Sequence, residues 1–198
     1  MPTRLRACTT TVKHKGVWMK TRQTEFQQHL SHWVDDEAEA QKFIDDAIPM
    51  IGIIVVYFNA LEASLDSILC ENFTDRSDLT GLIVLNKMAY SAKVDLLKRF
   101  CDTFQNYTDN VLKDYDETIS NLRECARLRN MVIHANWDET DEEGYAFVRL
   151  KITRSGINQE YAQFTYESLV KIEELILTTR TQIYDLWEYR NDLLHDRE

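Results

Sequence analysis

The sequence predicts a mainly helical bundle carrying one small β-hairpin, and three observations lead there. Only five glycines and two prolines occur in 198 residues, too few for the turns of an all-β sandwich or barrel. Hydrophobic residues make up 44% and charged residues 28%, which allows a real core and excludes wholesale disorder. Apolar residues recur at helical spacing along most of the chain, and a strand-like period takes over only after Gly144. A chain of this length is expected to form one domain.

The elements follow in order. A first helix is expected over 24–47, with Phe26, Leu30, Trp33, Phe43 and Ile44 on its apolar face and Pro49 closing it. A second, over 50–72, opens with Ile51, Ile53, Ile54, Val55 and Val56, apolar nearly all round as a core helix would be. A shorter apolar piece spans 79–88. A third helix, 91–104, turns Val94, Leu97, Phe100, Cys101 and Phe104 inward, and a fourth covers 110–135. The acidic run from Asp138 to Glu143 is a solvated turn. Beyond it Ala146, Val148, Leu150 and Ile152 alternate with Tyr145, Phe147, Arg149 and Lys151, which is strand spacing. Arg154-Ser155-Gly156 can turn the chain back through Tyr161–Phe164, making a hairpin over about 145–164. Thr165 is then the N-cap of a closing helix, 166–194.

Charge is uneven. Residues 1–24 hold six basic residues (Arg4, Arg6, Lys13, Lys15, Lys20, Arg22) and no acidic one, while the rest holds 17 basic and 33 acidic. The expectation is a basic, flexible N-terminal arm (1–24) on an acidic helical domain (25–198), the arm being dispensable for folding. The net charge of −10 disfavours a general nucleic-acid-coating protein. The longest apolar run, Met50 to Phe58, is half a membrane span, so a soluble chain without a membrane partner is expected. Four separated cysteines (Cys8, Cys70, Cys101, Cys125) read as reduced cytosolic thiols and point to a cytoplasmic protein without a structural zinc site. His29-x-x-His32 with Asp35 and Asp36 has helix spacing, but one helix offers too few ligands for a metal. No metal or cofactor is expected.

The informative stretch runs from Arg123 to Trp137. At 100° per residue Arg123, Arg127, Asn130 and His134 share one side of a helix, within about 60° of one another. Leu112, Tyr115, Ile119, Leu122, Ala126 and Ile133 form an adjoining apolar stripe, with Arg129 on its other margin, about 140° from His134. Arginines crowded in this way call for an anion or for carboxylates. The same spacing, Arg-Asn-x-x-x-His, returns at Arg190, Asn191 and His195, three residues from the end.

Arg129-Asn130-x-x-x-His134, late in a bundle helix, resembles the R-x4–6-H signature of HEPN (higher eukaryotes and prokaryotes nucleotide-binding) domains. The Lys93-Val94-Asp95-Leu96-Leu97 helix before it, Trp137 after it, the hairpin and the closing helix are similar to that family over roughly 26–190. The resemblance implies a HEPN-like bundle of four to five helices, the hairpin inserted before the last. It further implies a homodimer with the motif at the interface, and a metal-independent endoribonuclease of a toxin–antitoxin or antiviral defence system, with an antitoxin or regulatory protein as a further partner. Arg129, Asn130 and His134 would be the catalytic residues, Arg123 and Arg127 weaker substrate contacts, and Arg190, Asn191 and His195 an accidental copy. Other members of the family have lost catalysis and only bind, so a nucleotide-binding or protein-interaction module is the alternative. The chemistry suits these residue types. RNA carries its own nucleophile, the 2′-OH. Histidine, ordinarily titrating near about pH 6.5, moves protons, and arginine can hold two phosphate oxygens at once.

Overall fold

The computed structural model describes residues 8–14, 17–26, 34, 36–73, 78–154 and 156–195, with side chains from Met19 onward. In chain order the elements are β1 (Cys8–His14), β2 (Val17–Glu25), α1 (Glu37–Glu71), α2 (Leu79–Leu85), α3 (Tyr90–Thr108), α4 (Tyr115–His134), a 3-10 turn (Trp137–Glu139), β3 (Tyr145–Thr153), β4 (Gly156–Gln163) and α5 (Tyr166–His195). The protein is mainly helical, as its composition requires, with a small antiparallel sheet. The described chain divides into two compact units. The first takes the chain up to Ile54 and Leu128–Ile172, the second Val55–Arg127 and everything from Glu173 onward.

Pro49 does not close a helix. It lies inside α1, which joins the two helices expected on either side of it. Asp36 caps the helix, its Oδ1 accepting from the amides of Ala38 and Glu39 at 3.0 and 3.1 Å, and α1 starts at Glu37, thirteen residues later than expected. The buried positions Ala40, Ala47, Met50 and Ile54 stand seven, three and four residues apart, helical spacing that runs straight through the proline. Burial along that stripe outweighs the hydrogen bond that proline removes, a loss of about 3 kcal/mol in a helix interior. The resulting helix is long and apolar enough to cross a bilayer by length and composition, with a mean hydropathy of 1.7 over 18 residues, 33% of them buried. Joining the two segments lengthens what the sequence shows as a short apolar run, though the core helix of a soluble protein passes the same test. Leu30, Trp33, His29, His32 and Asp35 lie outside the described residues.

The N-terminal arm is likewise corrected. The hairpin over 145–164 forms as read, with Thr153 paired to Gly156, but it is half of a four-stranded sheet ordered β1-β2-β4-β3. β1 pairs with β2, and β2 pairs with β4 from Thr21↔Ala162 to Glu25↔Asn158. The β2–β4 partners lie more than a hundred residues apart and leave no local signal, which is why this stretch reads in the sequence as a basic arm. The first described side chain of that run, Met19, is buried, and Arg22 is tied into the fold. Arg22 reaches Asp141 at 3.3 Å and Glu143 at 3.1 Å, with its guanidinium 3.9 Å from the Tyr145 ring centroid. Asp141 is itself buried, and its Oδ1 accepts from the amides of Glu143 (3.1 Å) and Tyr145 (2.7 Å). The acidic turn is thus partly internal, not the wholly solvated loop expected. Gly144 completes it at φ 81°, where a Cβ would stand 2.4 Å from the Phe43 ring.

The closing helix begins as read, with the amide of Ser168 donating to Thr165 Oγ1 at 3.2 Å. In the second unit α3 buries Val94, Leu97, Cys101 and Phe104, four of the five residues expected to face inward. The start of the α4 stripe also holds, with Leu112, Tyr115, Ile119 and Leu122 buried. Cys70, Cys101 and Cys125 are free and buried. Burial pushes the thiols of Cys101 and Cys125 up from 9.0 to about 12.

Two predictions follow from these contacts. Asp141→Ala leaves the buried Tyr145 amide without its acceptor and is expected to lower unfolding free energy by about 1–3 kcal/mol in urea titrations. Arg22→Ala, at a partly exposed pair, is expected to lose less than about 1 kcal/mol; equal losses would contradict this account. The thiols set an alkaline limit. An acid held neutral by burial gives its full stabilisation below its unfolded pKa and loses it as pH rises toward the folded one. Under reducing conditions stability should therefore fall between pH 9 and about 12, by about 1.4 kcal/mol per pH unit for each thiol at the steepest. A Cys101→Ala/Cys125→Ala double variant should flatten that slope in urea titrations across the range.

Candidate functional site

Arg129, Asn130 and His134 occupy the last two turns of α4, within the first unit. The next residues anchor that end of the helix. The amide of Asn136 donates to the Phe147 carbonyl at 2.8 Å, which bridges the chain to β3. Trp137 donates its indole N–H to the Val132 carbonyl at 2.7 Å, and its ring lies 4.9 Å from that of Phe164. The tryptophan noted after the histidine is therefore a structural pin for the end of α4.

The buried line of this segment is Leu128 and Val132, whereas the sequence points to Ala126 and Ile133, which are half-buried. Leu128 and Val132 fall on the side of Arg129 away from His134, about 100° and 60° round the helix. The apolar seam therefore does not lie between Arg129 and His134. Arg129 sits half-buried beside it, while Asn130 and His134 are exposed on the other side. Five residues separate Arg129 from His134, about 7.5 Å along the axis and about 140° in azimuth. One chain presents them in different directions.

Arg129 donates from Nη1 to Asn130 Oδ1 at 2.9 Å. The side-chain oxygen of Asn130 therefore holds the guanidinium of Arg129. The second copy makes the same bond, Arg190 Nη1 to Asn191 Oδ1 at 2.9 Å. Both copies share this bond, so it does not by itself set the first apart from the second.

In the second unit, Arg123 and Arg127 are engaged by carboxylates. Arg123 pairs with Asp95 at 2.8 Å, and Arg127 holds both oxygens of Glu124 at 2.8 Å each. Arg190 is packed for structure, with its guanidinium carbon 4.2 Å from the Trp187 ring and 5.3 Å from that of Phe104. Burial lowers its pKa below the ordinary arginine value, partly opposed by Cys101 and Glu71. His195 is exposed at the helix end. Sequence reasoning missed an ion cluster around a buried lysine. Lys93 bridges Glu62 and Asp66, at 2.8 Å each, beside a cavity of about 490 Å³ that Leu82, Ile83, Leu85 and Met88 also line. Desolvation alone would lower the Lys93 pKa, but the two carboxylates raise it above the ordinary value. Glu62 and Asp66 stand four apart on α1, which hints at a shared face, but their lysine is remote in sequence. Among the described residues no group of His, Cys, Asp and Glu is placed to hold a metal ion.

Compared with protein-family models, with curated proteins and with solved structures, the chain matches none.

Arg190→Ala is expected to lower stability by about 1–2 kcal/mol through loss of the aromatic stacking. His195→Ala should stay within about 0.5 kcal/mol of the parent. Thermal unfolding of both variants checks the contrast, and a neutral Arg190→Ala would remove the structural role assigned to it.

Proposed function

We propose that the chain is a HEPN-type endoribonuclease that cleaves RNA through its own 2′-OH without metal, acting as a homodimer in the cytoplasm, as a toxin or defence effector. The observation that carries the reading is the placement of the motif. His134 is exposed at the end of α4, directly before the hairpin and closing helix, with Arg129 half-buried and held by Asn130 five residues earlier. The 2′-oxygen attacks the phosphorus as His134 takes its proton, and Arg129 stabilises the charge that develops on the phosphate oxygens. The P–O5′ bond breaks and the 5′-oxygen takes a proton from water, giving a 2′,3′-cyclic phosphate and a 5′-hydroxyl, and His134 then returns its proton to solvent. Since the two side chains of one copy diverge, a second copy completes the cleft by supplying the other partner. Half-buried Ile133, between Arg129 and His134 on the helix, gives that contact an apolar element.

A second reading, a non-catalytic nucleotide-binding or protein-interaction module, is favoured by one observation. Arg123 and Arg127 are already answered by Asp95 and Glu124, which leaves little cation near the motif to hold a polyanion on an acidic chain.

The test is incubation of the purified chain with end-labelled RNA in EDTA. Cleavage is expected, with losses of about 10²–10⁴ for His134→Ala and about 10²–10³ for Arg129→Ala. Asn130→Ala should be milder, and His195→Ala near wild type. Cleavage that survives His134→Ala, or that EDTA abolishes, overturns the assignment. Nucleotide binding through Arg129 without any cleavage transfers it to the second reading.

A further inference from the structure

The cavity beside Lys93 lies wholly within the second unit, and its volume of about 490 Å³ falls within the about 300–1,000 Å³ usual for small-molecule sites. One wall is α2, which supplies Leu82, Ile83 and Leu85, with Met88 from the turn that follows. The helix is seated on α1 through Gly81, where a Cβ would stand 2.6 Å from Cys70 Sγ. Leu82 and Ile83 are 52% and 69% exposed, so the apolar wall is open to a ligand.

The same lining carries one unanswered charge of each sign. Glu62 and Asp66 share the single ammonium of Lys93, at 2.8 Å each, so one negative charge is left over. Of the two carboxylates Asp66 lines the cavity. Lys93 uses one of its roughly four acceptor positions, and its Oδ1 has no hydrogen-bond partner. The positive charge is Lys87, an exposed lining residue with no ion-pair partner among the described residues. Lys87 follows the end of α2 at φ 80°, a left-handed position where glycine is the usual residue. A lysine there strains the turn, and what it adds is an ammonium at the cavity.

We propose that this cavity binds a small zwitterion built on an apolar body, the chemistry shared by a free apolar amino acid and an apolar dipeptide. The ligand's ammonium goes to Asp66, its carboxylate to Lys87, and its side chains lie against Leu82, Ile83 and Met88. A simple amine would satisfy Asp66 but meet the like charge of Lys87. An aliphatic carboxylate would satisfy Lys87 but meet the surplus negative charge of Asp66 and Glu62. A ligand with both charges answers both residues through charge-assisted hydrogen bonds. Phosphates, whose charges are all of one sign, suit the cavity less well. None of these residues belongs to the motif assigned to RNA cleavage, so binding here does not depend on that activity.

The test is isothermal titration calorimetry of the full chain with leucine and with leucyl-leucine. Saturable one-to-one binding of one or both is expected at concentrations up to about 10 mM, and the tighter of the two identifies the source. Isoamylamine, which lacks the carboxylate, and isocaproate, which lacks the ammonium, should each bind about tenfold or more weaker. Glycine, without the apolar body, should be weaker by a similar factor of about ten. Lys87→Gly should lose about tenfold in affinity yet unfold no earlier than the parent in a thermal scan, because glycine relieves the left-handed turn. Asp66→Asn should weaken binding comparably while Lys93 keeps Glu62. No saturable binding of either zwitterion overturns the proposal. So does an amine or a carboxylate that binds as tightly as they do, or binding that Lys87→Gly leaves unchanged.

Discussion

The buried carboxylate of Asp141 carries the first unit. It closes its own acidic turn through the amides of Glu143 and Tyr145, so it fixes where β3 begins. It also accepts Arg22 from β2, so the N-terminal and C-terminal hairpins meet at one charged group. A carboxylate this deep is tolerable because Arg22 and the amides of Glu143 and Tyr145 answer it. Its position sets the start of the hairpin, and the Asn136–Phe147 bridge hangs the end of α4 from that hairpin. The placement of His134 depends on this chain of contacts.

Helix formation in the chain follows burial more than local propensity. α1 continues through Pro49 because its buried positions keep their spacing, and tertiary packing overrides one missing hydrogen bond. In α4 a shift of the buried line by one position, from Ile133 to Val132, moves the apolar seam to the far side of Arg129. Both outcomes are small in sequence terms. Both change which side chains can cooperate, since 100° of helix rotation separates neighbouring residues.

The two Arg-Asn-x-x-x-His copies show how little a short motif settles. Each makes the same local arginine–asparagine bond, yet Arg190 is stacked on Trp187 and Phe104 while Arg129 lies beside an exposed histidine. Surroundings separate them. The aromatic packing that makes Arg190 structural comes from Trp187 one turn earlier and from Phe104 on another helix.

Amino-acid order alone determined the mainly helical class, the hairpin over 145–164, the Thr165 cap and most of the inward face of α3. These features rest on periods, caps and turns within a few residues of one another, where local sterics and amphipathicity suffice. It also placed Arg129, Asn130 and His134 on one helix. Only the tertiary structure decided that β1 and β2 join the sheet, that α1 runs through its proline, and that Lys93 is buried between Glu62 and Asp66. It likewise decided which arginines are answered by carboxylates. Each of those outcomes is a pairing between residues far apart in the chain or a burial energy summed along a whole face, and neither quantity is present in any short window of sequence.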